Sequence, residues 1–98
     1  MLEREKRSAR RVPVSSRVKI VTISHGETHY GTTKDISVAS IAFETDYVPY
    51  HGEELEITVL PGDATVKPLR AIVRVTACTE IEPGRRYAVV VAIGKVID

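Results

Sequence analysis

The chain has 98 residues, 43% of them hydrophobic and 28% charged, a balance that fits one folded domain with a small core and excludes both a multidomain enzyme and a disordered segment. Its 14 basic and 13 acidic side chains leave a net charge of +1, but residues 1–19 hold seven basic and two acidic groups, net +5, and the rest of the chain is net −4. A basic arm on a mildly acidic body gathers anions such as phosphates, although a solvated tail has the same composition.

After the arm the hydrophobic period is two, and turn residues interrupt it at short intervals, which predicts an all-β domain. Residues 17–23 alternate charge with Val or Ile and then run apolar, giving a first strand. A Gly-containing turn over 24–29 leads into a Thr-rich strand at 30–36, and the two form a hairpin. Residues 41–45 give a short third strand, with Pro49 and Gly52 marking the loop beyond it. Over 54–60, Leu55, Ile57 and Val59 face the core while Glu54, Glu56 and Thr58 face water. Residues 69–80 form the longest strand, with Ala71, Val73, Val75 and Ala77 on one face and Arg70, Ile72, Arg74, Thr76 and Cys78 on the other. A turn from Glu82 to Arg85 leads into 87–93, whose unbroken apolar run reads as a strand buried on both faces. Six strands at this spacing, without an amphipathic helix, predict a small six-stranded antiparallel barrel over residues 15–95 behind an extended basic N-terminal arm over 1–14, all in one domain.

Catalytic and metal constellations are not evident. His25 and His29 straddle a turn, where their spacing of four is no ligand pattern. Cys78 is the single cysteine, so an internal disulfide and a cysteine zinc site are excluded, and its apolar and Thr neighbours suggest an inert, half-buried thiol. Glu53, Glu54 and Glu56 read as a solvated acidic rim. No Ser-His-Asp order, Walker loop or dinucleotide fingerprint is present, so a binding protein is expected and an enzyme is not. A nucleic-acid polymer is not an expected partner, because Phe43 is the only Phe and the Tyr residues are scattered, leaving no stacking platform. No apolar run approaches the ~20 residues of a membrane-spanning helix and no signal-type segment opens the chain, so the cytoplasm is the expected compartment.

Two short motifs carry a functional expectation. In Lys6-Arg7-Ser8-Ala9-Arg10-Arg11-Val12-Pro13-Val14, Arg7 and Arg11 flank three residues, and Pro13 holds Val12 out of the helical region. Such an arm can wrap an anionic ligand, since Arg bonds phosphate or a guanine O6/N7 edge in bidentate fashion and stacks on bases. In Asp35-Ile36-Ser37-Val38-Ala39-Ser40, Asp35 and Ser37 are two apart in extended chain and point to one side, where carboxylate and hydroxyl meet one ligand edge. The same pattern also serves local Asx and Ser turns.

Arg-x-x-x-Arg before the first strand, followed by Asp-x-Ser-x-x-small after the second, resembles the PilZ domain family, whose pattern is Arg-x-x-x-Arg and then Asp/Asn-x-Ser-x-x-Gly. The resemblance extends through Arg11-Val-Pro-Val, the strand beginning at Leu69 and the run Arg86-Tyr87-Ala-Val-Val. It implies a six-stranded barrel that binds the bacterial second messenger cyclic di-GMP. By position, Arg7 and Arg11 engage phosphate and guanine, Asp35 and Ser37 bond the guanine edge, and Lys6, Arg10 and Arg74 are accessory contacts. Ser40 stands where the family has Gly, which raises the question of whether this backbone position needs a positive φ. The implied role is an effector whose ligand orders the arm and signals to a partner protein, without a metal. The alternative is a PilZ-like adaptor that acts through protein contacts and binds no nucleotide.

Overall fold

The computed structural model describes residues 12–13, 15–62, 65 and 67–97. Seven strands follow in chain order: β1 (Val12–Pro13), β2 (Arg17–Thr22), β3 (Thr28–Ile36), β4 (Ser40–Thr45), β5 (Glu54–Leu60), β6 (Leu69–Glu82) and β7 (Arg86–Ile97). Every pairing is antiparallel, in the order β1-β3-β2-β5-β6-β7-β4, and β4 returns to pair with β3. That last pairing closes β2 to β7 into a six-stranded barrel, with β1 as a short addition along β3. The described residues contain no helix. Closure matches the composition of β2, β4 and β5, which alternate large apolar with polar or small residues, since a barrel buries one face of its strands.

The interior is the alternate set Val18, Ile20, Ile41, Phe43, Leu55, Ile57, Ala71, Val73, Val75, Val89 and Val91, with Val59 at its margin. Three threonines are buried among them, and each has a hydrogen-bond partner, as a polar group in a dry core requires. Thr22 Oγ1 accepts from Glu27 N–H (2.9 Å), Thr33 Oγ1 accepts from Ser16 N–H (2.8 Å), and Thr45 Oγ1 donates to the Tyr30 carbonyl (2.9 Å). At the closing seam, a Cβ on Gly31 would run into the backbone carbonyl oxygen of Glu44, so only glycine permits β3 and β4 to meet there.

The structure corrects the strand reading in three places. β7 is not buried on both faces: Val89 and Val91 point inward, while Ala88, Val90 and Ala92 sit half-buried on the outside. Ala77 does not share the face of Val73 and Val75, because the ladder slips between Val75 and Ala77 and pairs Ala77 with the outward Val90. Cys78 is exposed rather than half-buried, since β6 has by then run past β5.

Candidate functional site

The expected barrel residues are spread over the outer surface, with Asp35 on β3 and Arg74 on β6. Thr33 points into the core opposite Phe43, and strict alternation would carry Asp35 inside as well. The ladder instead slips between Thr33 and Asp35, leaving Lys34 as the extra residue. Asp35 therefore pairs with Ala42 on the outer face, and Ile36 pairs with Ile41 toward the core. From Asp35 one outer row continues through Ala42 to Val90, and a second runs from Ser40 through Ala92 to Arg74 and Glu54. Beside Asp35, the short side chains of Ala42, Val90 and Ala92 in these rows make a floor. Arg74 stands on β6, three strands from β3 in a ring of six, and so on the opposite side of the barrel from Asp35. Along the other side of β3 runs β1, with Val12 opposite Ile36 and Pro13 opposite Asp35.

Ser37 is placed differently from Asp35. It is 8% exposed and folded into the β3–β4 turn, where its Oγ accepts from Ala39 N–H (3.2 Å) and Ser40 N–H (3.1 Å). Its own N–H donates to the Ser40 carbonyl (2.8 Å), and Ile93 N–H donates to the Ala39 carbonyl (2.9 Å), which ties the turn to β7. These are the bonds of a local Ser turn. Ser40 opens β4, with its Oγ 3.3 Å from that of Ser37. No described non-glycine residue has a positive φ, so the backbone at Ser40 asks for nothing that only glycine supplies.

Arg74 is exposed and ion-paired, its Nη2 2.9 Å from Glu54 Oε2. It also borders a surface hollow of about 410 Å³ with Ile23, Ser24, Tyr50 and Gly52, on the side away from Asp35. Lys6, Arg7, Arg10 and Arg11 lie outside the described residues. Beyond the floor stands a chain of ion pairs that the sequence reading missed: Lys34 to Glu44 (3.7 Å), Arg86 to Glu44 (3.7 Å) and Arg86 to Glu82 (3.4 Å). Its only sequence signal was the spacing of four between Glu82 and Arg86.

The acidic-rim reading is overturned at Glu53, which is 3% exposed. Its carboxylate accepts from the Tyr47 hydroxyl at both oxygens (3.0 and 2.8 Å) and from Tyr50 N–H (3.1 Å), plugging the barrel mouth opposite the β3–β4 turn. Partial burial, with the Glu53 carboxylate, pushes the Tyr47 phenol well above its ordinary value. The His29 ring stacks on Tyr47 at 4.3 Å, with its Nε2 3.5 Å from Glu27. Although Cys78 is exposed, the desolvation that remains around its thiol raises it, away from thiolate reactivity. Among the described residues, no three His, Cys, Asp or Glu side chains gather as a metal site, and no helix is long and apolar enough to cross a membrane.

Neither a family profile nor a curated protein matches the chain. Its fold has a solved counterpart. The Bacillus subtilis inhibitor of motility (MotI/DgrA) superposes with a TM-score of 0.71 at 17% identity, over 89% of this chain and 42% of that one. At this identity the likeness is one of fold, and this chain spans less than half of that protein's length. The closed six-stranded barrel and this neighbour fit the PilZ-like fold implied by the two motifs.

Proposed function

We propose that this chain is a PilZ-type effector domain for cyclic di-GMP, with the ligand held between the arginine arm and the outer floor beside Asp35. The observation that carries the proposal is the pairing of Val12 with Ile36 and of Pro13 with Asp35. It brings Val12 and Pro13, which follow Arg11 in the chain, beside the strand that bears the carboxylate. The ligand chemistry fits the parts available. Arg7 and Arg11 are forks for phosphate and guanine, Ala42, Val90 and Ala92 offer a flat apolar face, and the Asp35 carboxylate is an acceptor for guanine N–H donors. In this reading Ser37 and Ser40 hold the turn at the edge of the floor. Lys6 and Arg10 are accessory cations. Binding orders the arm and alters the surface offered to a partner protein in the bacterial cytoplasm. The fold neighbour is an inhibitor of motility, which supports a regulatory role over a catalytic one.

The test is a calorimetric titration of the parent, Arg11→Ala and Ser40→Gly with cyclic di-GMP at physiological salt, with GTP as control. Micromolar or tighter binding by the parent, lost in Arg11→Ala and absent with GTP, is the expected result. No heat from the parent or from Ser40→Gly would overturn it in favour of an adaptor working through protein contacts alone.

A further inference from the structure

We propose that the free edge of β6 pairs with the same edge of a second copy of this chain, antiparallel across a two-fold axis at Thr79. β6 is laddered to β5 only as far as Arg74. The last backbone bonds on that side run from Val75 N–H to the Glu53 carbonyl (2.9 Å) and from Gly52 N–H to the Val75 carbonyl (2.8 Å). From Thr76 to Glu82 the strand pairs with β7 on one side and, among the described residues, with no strand on the other. Backbone donors and acceptors left in a row are a template for another strand. Pro and Lys, the usual guards of such an edge, are absent from 76–82, and Ile81, 42% exposed, adds apolar surface.

The edge sequence selects its own copy as the occupant. A two-fold axis perpendicular to the sheet must pass through a residue, because facing side chains share one side of the sheet. With Thr79 on the axis, the whole segment is used, a length of about 23 Å. Cys78 then faces Glu80, Ala77 faces Ile81 and Thr76 faces Glu82, so no like charges meet. Moving the axis to Glu80 sets that carboxylate against its twin. Moving it to Cys78 makes Ile81 and Glu82 face Val75 and Arg74, which the β5 side already holds. Ladder slips at both ends of the segment limit its straight part, which sets the association at the weak end of specific interfaces.

Sedimentation of the parent across the micromolar range tests this without reference to any nucleotide. Thr79→Lys, which puts two ammonium groups on the axis, and Thr79→Cys in a Cys78→Ser background are run beside it, with urea midpoints to establish that each is folded. The expected result is a concentration-dependent dimer, weakened at least about tenfold by Thr79→Lys, with a disulfide forming at position 79 on mild oxidation. A parent that stays monomeric, a dimer indifferent to Thr79→Lys, or cross-linking through the parent's Cys78 but not through position 79 would overturn it.

Discussion

The two mouths of the barrel are closed by different means. At the β3–β4 turn the closure is made of short side chains and backbone: Ser37 staples Ala39 and Ser40, and Ala39 is tied to β7. At the opposite mouth it is made of a buried carboxylate, with Glu53 holding both the Tyr47 hydroxyl and the Tyr50 backbone. Loss of a partner from a buried charged network is costly, whereas a turn held by neutral hydroxyl bonds loses little. The difference separates stability from recognition. The plugged mouth carries the fold, and the mouth closed by small groups leaves the neighbouring floor open to a ligand.

The strongest test of this division is Glu53→Ala, which strands the Tyr47 hydroxyl and the Tyr50 N–H. It is expected to lower unfolding free energy by about 3 kcal/mol in urea titrations. A loss below about 1 kcal/mol would show that the plug does not carry the fold. Arg11→Ala should do the reverse. Loss of a charge-assisted bond costs about 1.5–3 kcal/mol of ligand binding, roughly 10- to 100-fold in Kd, with the urea midpoint unmoved. A shifted midpoint with unchanged Kd would erase the distinction between the two regions.

The plugged mouth also makes a pH prediction. The folded protein holds the Tyr47 proton more tightly than the unfolded chain, whose phenol titrates near 10.0. In the window above that value the native state binds more protons, so stability falls as pH rises through it. Tyr47→Phe should flatten that alkaline slope in thermal melts, and an unchanged slope would remove Tyr47 as its source. The smallest effect is expected at Ser40→Gly. Without a positive φ to relieve, glycine brings its backbone entropy and drops the hydroxyl contact to Ser37, a loss of about 1 kcal/mol, with no gain in cyclic di-GMP affinity. A clear gain would show that Ser40 obstructs the floor.

The six barrel strands were legible because period-two patterning is a direct record of one buried face, and Leu55, Ile57 and Val59 behave as that record says. Ladder slips were not legible, since a bulge depends on the partner strand's register, which no single segment encodes; Ala77 was misplaced for that reason. Glu53 was misread because its two acidic neighbours suggested a wet surface, while the groups that satisfy it, Tyr47 and Tyr50, belong to an irregular loop without a pattern. At the candidate site the motif marked Asp35, which lies near the end of β3, and Ser37, which lies in the β3–β4 turn. The Ser37 hydroxyl is held by hydrogen bonds no more than three residues long, a local alternative that sequence alone left open.

At Lys34, β3 carries one residue more than its ladder needs. Removing it would leave Thr33 inside, Asp35 outside and Ile36 inside in plain succession, at the loss of one exposed ion pair to Glu44. The segment's length is thus degenerate where the order of its residues is not. A nine-residue strand and its one-residue deletion spell the same arrangement of inside and outside, so related barrels can differ by one residue here and still present their carboxylate to the same side.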